Sequence, residues 1–185
     1  MSAKVITVNG TSSVGKSSTI KALQSITSDP FMHVKFDAFL EMLPTSMFGH
    51  PDGIDFETVQ IDGKPSVTIE MGKNMLNALR GMRSAVAALA SEGNNQIVDD
   101  VMLGATNQQH YRKVMSDAEI QFVGLFAPLE ILEQREKSRG DRQIGLARWQ
   151  YDRVHAGVDY DLEIDTSAFS PNECARKIAE YFGLG

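Results

Sequence analysis

Residues 5–18 of the chain read Val5-Ile6-Thr7-Val8-Asn9-Gly10-Thr11-Ser12-Ser13-Val14-Gly15-Lys16-Ser17-Ser18. The first four are apolar or β-branched and predict a buried strand. Gly10 and Gly15 then bracket four residues and precede Lys16 and Ser17, which matches the G-x-x-x-x-G-K-[ST] pattern of a phosphate-binding loop. The residues after the loop suit a helix, so the strand, loop and helix order that the pattern requires is present.

The chemistry expected of this loop follows from its backbone. Glycines let the chain curl so that successive N–H groups and the start of the helix point at phosphate oxygens. Lys16 adds a positive charge, and the Ser17 hydroxyl can ligate Mg²⁺. We therefore expect residues 10–18 to bind a nucleotide. The alternative, a Gly- and Ser-rich turn that binds nothing, is disfavoured by the full spacing.

The length, hydrophobic fraction and charge of the chain limit the number of domains and the kinds of partner to expect. With 185 residues, 42% of them hydrophobic, the chain can bury a sizeable core, and we predict one domain over residues 1–185. A formal net charge of -6 disfavours a nucleic-acid or membrane partner, because these are bound by basic surfaces. No signal peptide or membrane span is predicted, and the expected location is the cytoplasm. The expected partner is a small molecule.

The single cysteine and the four histidines are not assigned to the site. Cys174 lies in a helical apolar pattern and is expected to be a small buried residue. The histidines show no metal-ligand spacing and receive no role. They are His33, His50, His110 and His155.

A candidate catalytic residue follows the short strand predicted at residues 32–36. Asp37 comes directly after that strand, and the residue at the carboxyl end of a parallel strand faces the ligand crevice. Asp37 is thus placed to act on a substrate. Capping of the following helix is the alternative, and one carboxylate can serve both purposes.

Residues 44–70 interrupt the alternation of strands and helices. Two alternating segments, 58–61 and 66–69, flank the turn-forming residues 62–65 and predict a β-hairpin. An insertion at the edge of the sheet that carries the phosphate loop can cap a substrate. The alternative is an exposed loop without ligand contact.

An apolar run at residues 96–98 ends in two carboxylates, Asp99 and Asp100. An acid at the end of a strand is what a P-loop enzyme uses to orient Mg²⁺. Adjacent strand residues face opposite ways, so only one should reach the metal. We predict Ser17, Asp99 and Asp100 as the metal set and favour Asp99, with Asp100 turned toward substrate or a neighbouring loop. The alternative is a pair of solvated acids.

Three arginines lie at the end of the helix predicted to start at Pro128. Arg135 and Arg139 are four residues apart on one helical face, and Gly140 offers a hinge before Arg142. Because arginine is permanently charged and binds phosphate oxygens through two N–H groups, these side chains make a plausible lid over a transferring phosphate. The alternative is a solvated helix end paired with neighbouring acids.

Together these segments resemble the chloramphenicol phosphotransferases, small P-loop kinases related in fold to shikimate and nucleoside-monophosphate kinases. The resemblance covers about the whole chain. Besides the residues above, it rests on Leu40-Glu41, Pro44, residues 53–56, Glu136, His155, residues 157–161 and Asp165-Thr166. It implies an α/β P-loop kinase fold with a five-stranded parallel sheet flanked by helices, a small cap at about 44–70 and a short Arg-rich lid at about 135–145.

The resemblance also implies a function. It implies ATP in the loop, an acceptor hydroxyl activated by Asp37, and Arg135, Arg139 and Arg142 near the phosphates. The hypothesis is a phosphotransferase that uses ATP and Mg²⁺ to modify chloramphenicol or a similar antibiotic.

Two alternatives stay open. The acceptor can instead be a nucleotide sugar, a nucleotide or a shikimate-like acid. The apolar cap disfavours an anionic acceptor, but Lys64 and Lys73 keep it open. The second alternative is an ATP-binding regulator without an acceptor.

Overall fold

The computed structural model describes residues 3–115, 119–140 and 143–185, which form two sheets and seven α-helices. The strands are β1 (Val5–Asn9), β2 (Met32–Lys35), β3 (Ile54–Ile61), β4 (Lys64–Met71), β5 (Gln96–Asp100), β6 (Ile120–Phe126) and β7 (Leu162–Asp165). The helices are α1 (Lys16–Gln24), α2 (Phe36–Glu41), α3 (Lys73–Ser91), α4 (Ala105–Val114), α5 (Leu129–Arg139), α6 (Leu146–Tyr151) and α7 (Pro171–Phe182). A short 3₁₀ helix spans Thr45–Met47.

The main sheet has five parallel strands in the order β2-β5-β1-β6-β7, as predicted. All of β1 is buried, because strands pair with both of its edges and helices cover both faces. In the register of β1 against β5, Val8 pairs with Asp99 and Asn9 with Asp100. The phosphate loop and the acidic end of β5 therefore meet at one edge of the sheet.

Alternation along β1 divides the apolar core between the two faces of the sheet. Ile6 and Val8 face a cluster that includes residues of α1 and α7. Val5 faces a second cluster, which includes Met82 of α3 and Tyr111 of α4. The result is the three-layer α/β arrangement in which parallel sheets are covered on both sides. Within the described ranges, no helix has the length and apolarity needed to cross a membrane.

The predicted hairpin is present, and its strands are longer than predicted. Asp62 and Gly63 both have positive φ, 52° and 72°, which is typical of the two-residue turn that joins twisted antiparallel strands. Pairing continues from this turn to Ile54 opposite Met71. The backbone N–H of Val67 donates to the carbonyl of residue 145 (3.0 Å), so the hairpin is attached to the start of α6.

Three element boundaries differ from the predictions. The sequence of residues 108–116 predicts a helix, which in the structure begins earlier, at Ala105, after Gly104 in a positive-φ conformation. The sequence also predicts a helix from Gly145 through His155, but the helix ends at Tyr151, and the carbonyl of Val154 accepts from Asn9 Nδ2 (3.0 Å). Asp37 lies in the first turn of α2 rather than between strand and helix.

The sequence Ser170-Pro171-Asn172-Glu173 predicts a capping box, with proline at the first helical position, at the start of the final helix. Ser170 and Glu173 form a reciprocal capping box, and Pro171 is the first helical residue. This prediction is confirmed.

Candidate active site

A cavity of about 440 Å³ opens at the carboxyl edge of the parallel sheet. One wall is formed by loop residues 11–13 and 15–18. The opposite wall is mainly apolar and comes from α2 and the hairpin: Phe36, Leu40, Ile54, Phe56, Ile69 and Met71. The cavity thus lies between the phosphate loop and an apolar wall, with room for a small molecule.

The phosphate loop has the backbone form that its sequence predicts. Gly15 has φ 104°, a conformation that side chains rarely adopt, and it leads directly into α1. A Cβ on Gly10 would lie 2.7 Å from the carbonyl oxygen of Leu125, so this residue serves close packing. Lys16 Nζ donates to the carbonyl oxygens of Gly10 (2.7 Å) and Thr11 (3.1 Å). The Lys16 side chain therefore lies over the loop, where we also expect it to contact bound phosphate.

Asp99 lies beside the start of α1. Its Oδ2 accepts from the Ser17 hydroxyl at 2.8 Å and lies 3.6 Å from His33 Nε2. Its Oδ1 is 4.0 Å from Lys16 Nζ. Burial by itself raises the pKa of Asp99, but His33, Lys16 and Ser17 outweigh burial and bring the pKa below its ordinary value. The carboxylate is therefore ionised at neutral pH.

Ser17 and Asp99 fit a magnesium ion by their chemistry. Mg²⁺ prefers oxygen ligands and usually combines one or two protein oxygens with water and substrate phosphates. A serine hydroxyl in contact with an ionised carboxylate supplies such a pair next to the phosphate loop. Within residues 3–115, 119–140 and 143–185, no cluster of three or more His, Cys, Asp or Glu residues suits a metal, so substrate oxygens would complete the coordination.

Asp100 does not belong to this site, which corrects its place in the predicted metal set. It is fully buried, and its Oδ2 accepts from the Tyr111 hydroxyl at 2.8 Å and lies 3.9 Å from Arg83 Nη2. Asn107, with its amide oxygen turned toward Arg83, accepts a further hydrogen bond from that guanidinium (3.2 Å). Adjacent strand residues point to opposite faces, so β5 directs Asp99 to the cavity and Asp100 to the core behind it.

The predicted catalytic residues Asp37, Arg135, Arg139 and Arg142 do not all lie at the cavity in the described structure. Asp37 and Arg139 both line the cavity. Arg135 instead donates to the hydroxyl and the carbonyl of Thr166 (2.9 and 2.7 Å) and to the carbonyl of Val14 (3.3 Å). It therefore ties α5 to the phosphate loop and to the turn after β7. Arg142 lies outside the described residues.

A partly buried polar network supports the phosphate loop from behind, through contacts that sequence reasoning missed. Asn9 Oδ1 accepts from the backbone N–H of Met102 (2.8 Å), and its Nδ2 donates to the Tyr160 hydroxyl (2.5 Å). That hydroxyl is also 2.8 Å from His155 Nδ1, and the His155 ring stacks on Phe126. The network connects the ends of β1, β5 and β6 with the segment after α6. The residues that form it are far apart in the chain, which is why spacing did not indicate it.

This network predicts a pH dependence of stability. Burial, and then the charge of Lys16, lower the pKa of His155 from 6.5 to about 4. The unfolded chain takes up this proton below about 6.5 and the folded chain only near 4. Stability contributed by neutral His155 is therefore lost as the pH falls through that window. Thermal denaturation of His155→Gln should show a smaller loss between pH 6.5 and 4 than the original protein.

His50 provides the matched control, because its side chain is exposed on a loop. His50→Gln should keep the original pH dependence. An unchanged slope in His155→Gln would contradict the role given to the partly buried His155 ring.

Gln150 and Glu136 are also brought to the site by the tertiary structure. Gln150 Oε1 accepts from the backbone N–H of Ser12 at 2.6 Å, and Gln150 lines the cavity. Glu136 is buried and accepts from the backbone N–H groups of Gly145 (2.7 Å) and Ala147 (2.8 Å), which holds the start of α6. A single glutamine or glutamate in a helix gives no sequence signal of this kind.

Comparison with solved structures identifies the fold. A sugar kinase from Janibacter sp. HTCC2649 superposes with a TM-score of 0.70 at 16% identity, covering 100% of this chain and 96% of that chain. The Mycobacterium tuberculosis APS kinase CysC, in complex with AMPPNP and APS, superposes with a TM-score of 0.67 at 17% identity, covering 98% of each chain. The fold is that of the P-loop kinases.

Sequence comparison then gives the family. Residues 3–183 match the family model described as "Chloramphenicol phosphotransferase-like protein", and the chain belongs to this family. A Mycobacterium tuberculosis protein named "Putative O-phosphotransferase Rv2636" (strain H37Rv) is 30% identical over 184 residues, which cover 97% of this chain and 82% of that protein. Its counterpart in strain CDC 1551 gives the same values. The chain is a kinase, as predicted.

Proposed function

We propose that this kinase transfers the γ-phosphoryl group of ATP, in the presence of Mg²⁺, to a hydroxyl group of a small and largely apolar molecule. Chloramphenicol is the first candidate acceptor, which would make the activity one of antibiotic modification. The observation that carries the proposal is that Asp37 lines one cavity together with the phosphate loop and an apolar wall. A hydroxyl group placed between them would meet a carboxylate on one side and a transferable phosphate on the other.

The phosphate loop would hold the donor. Loop amides and the Lys16 ammonium group would bind the β- and γ-phosphates. Ser17 and Asp99 would hold Mg²⁺, which neutralises charge that develops on the phosphate oxygens. Lys16 reaches both loop carbonyls and lies near Asp99, so phosphate oxygens can compete for it without a large backbone movement.

Asp37 would receive or orient the proton of the acceptor hydroxyl. Proton transfer is late in phosphoryl transfer, so the group need not be a strong base. Its place in the first turn of α2 keeps the carboxylate at the cavity wall. Arg139 lines the same cavity and would meet charge on the transferring phosphoryl group. For Arg135, the contacts with Thr166 favour a role in shaping the nucleotide side of the loop, and Arg142 stays a candidate on sequence alone.

The cavity wall favours an uncharged acceptor over an anionic one. Lys64 projects toward Glu133, with Nζ 3.9 Å from its carboxylate, and does not line the cavity. Lys73 does not line it either. The charged residues that do line it are balanced, with three acidic side chains (Asp37, Glu41, Asp99) and three basic ones (Lys16, Lys35, Arg139). Lys16 and Arg139 are assigned to the donor phosphates, so an acidic acceptor would meet a mainly apolar wall.

The test is ADP release by the purified protein with ATP and Mg²⁺, alone and with single candidate acceptors, followed by the mass of the product. Chloramphenicol should give a phosphorylated product and ADP in equal amounts. ADP release only with a nucleotide sugar, a nucleotide or shikimate would support the proposed kinase reaction but contradict chloramphenicol as the acceptor. Inorganic phosphate released at the same rate with every compound would contradict the kinase proposal and favour an ATP-hydrolysing regulator.

A further inference from the structure

Gln150 occupies a backbone donor of the phosphate loop. Its Oε1 accepts the N–H of Ser12 at 2.6 Å, a short neutral hydrogen bond. Gln150 is buried, with 6% of its surface exposed. The backbone N–H groups of such a loop are its means of binding phosphate oxygens. The side-chain carbonyl of Gln150 therefore occupies the Ser12 N–H group, which a ligand could otherwise use.

The helix that carries Gln150 is held in place from two sides. At its start, the buried Glu136 carboxylate accepts from the N–H groups of Gly145 and Ala147. On the other side, the hairpin donates to the carbonyl of Gly145 through the N–H of Val67. A Cβ on Gly145 would lie 2.6 Å from the carbonyl oxygen of Pro65, so α6 and the hairpin are in close backbone contact. Gln150 is thus presented to the loop by a fixed support.

The position of Ser12 indicates which phosphate is concerned. Gly15, Lys16 and Ser17 lie at the start of α1, where the helix dipole favours the phosphate that is held most deeply. Ser12 lies earlier in the loop and shares the cavity with Asp37 and Arg139. The phosphate between the start of α1 and the acceptor carboxylate is the terminal one of a nucleoside triphosphate.

We propose that Gln150 is a specificity-determining residue that occupies the Ser12 amide and yields it only to the γ-phosphate of the donor nucleotide. The inference rests on the proposed function, because it takes ATP as the phosphoryl donor. A triphosphate must exchange the Gln150–Ser12 hydrogen bond for one to its own oxygen, whereas a diphosphate leaves that bond in place. Gln150 therefore lowers the affinity for ATP and leaves the affinity for ADP unchanged.

The experiment measures the binding of two nucleotides to three forms of the full chain. Isothermal titration calorimetry, with Mg²⁺ present, compares AMPPNP, a non-hydrolysable triphosphate, with ADP. Gln150→Ala should bind AMPPNP roughly three- to tenfold more tightly, the range expected for one neutral hydrogen bond that need not be displaced. Its affinity for ADP should stay within about twofold of the original protein.

Gln150→Glu should change the affinity for AMPPNP in the opposite direction. The glutamate has nearly the same shape, and its charge both strengthens the bond to the amide and repels the terminal phosphate. It should weaken AMPPNP binding at least roughly tenfold and ADP binding much less, because repulsion falls with distance. Gln143→Ala is the matched control, since Gln143 is an exposed glutamine that donates to Thr58 and not to the loop. It should leave both affinities unchanged.

Thermal denaturation of each variant verifies that it is folded. Equal changes in the affinities for AMPPNP and ADP, or weaker AMPPNP binding by Gln150→Ala, would overturn the assignment of Gln150 and leave the kinase proposal intact. Absence of binding of both nucleotides to the original protein would instead overturn the proposed function.

Discussion

Replacement of Asp37 by asparagine is expected to lower phosphoryl transfer to the acceptor by about 10²–10⁴-fold, the range associated with loss of a positioned proton acceptor. Asparagine keeps the size of the side chain and one of its two acceptor oxygens in the first turn of α2, so the helix and the cavity wall should persist. Asp37 is not part of the phosphate loop, so binding of ATP should change by no more than about twofold in a variant that loses only the carboxylate charge.

Two measurements separate these expectations. ADP release with the acceptor found in the substrate test gives the rate of transfer, and calorimetric titration with AMPPNP gives nucleotide affinity. Asp52→Asn is the control, because Asp52 is exposed and lies beyond the residues that line the cavity. It should transfer at the original rate. A parallel loss of transfer and nucleotide binding in Asp37→Asn would show that Asp37 supports the fold of the site and is not the proton acceptor.

Replacement of Arg83 by methionine is expected to destabilise the protein by about 3–5 kcal/mol, the cost typical of leaving one charge of a buried pair without its partner. Arg83 is 4% exposed and Asp100 is fully buried. Burial raises the pKa of Asp100, while Arg83, Tyr111 and the N–H of Val101 act in the opposite direction. Without the guanidinium, the carboxylate must take up a proton or remain buried as an uncompensated charge.

The stability loss of Arg83→Met should depend on pH, because the protonation state of Asp100 does. A carboxyl whose pKa is raised in the folded state stabilises the fold at low pH and loses that contribution as the pH rises. The deficit of Arg83→Met should therefore be larger at pH 7 than at pH 5 in urea denaturation. Adding Asp100→Asn removes the uncompensated charge, so the double variant should lose less stability than the two single variants summed.

Arg80 on the same helix gives the matched control. Its side chain is exposed and donates to Asn77, so Arg80→Met should change the free energy of unfolding by no more than about 0.5 kcal/mol. A similar small change in Arg83→Met would contradict the view that the buried pair anchors α3 and α4 to the end of β5.

Local sequence signals predicted the parts of the fold that short-range geometry decides. The run from Val5 to Ser18 specifies strand, loop and helix because its backbone conformations are set by neighbouring residues. Asp62-Gly63 specified the hairpin turn for the same reason, since both residues must adopt positive φ. Alternation also predicted that Asp99 and Asp100 would face different ways, which the structure bears out in their contacts.

The same signals could not predict which distant groups meet. Assigning Asp100 to the metal set failed because its partners, Arg83 and Tyr111, come from two helices separated from it in the chain. Gln150 had no recognisable motif, although its side chain touches a loop 138 residues away in sequence. Arg135 was assigned from its charge, and only the packing of α5 against the turn after β7 revealed its contacts with Thr166.

Residue types at short and regular spacing specify the phosphate loop and the hairpin. The family resemblance extended these predictions to the parallel α/β class and to kinase chemistry. Only the tertiary structure decided that Asp37 and the apolar hairpin wall share one cavity with the loop, that Asp100 is a buried core residue, and that Gln150 holds the Ser12 amide. The physical reason is that these relations depend on how sheet register and helix packing bring distant segments together, and no local propensity encodes that distance.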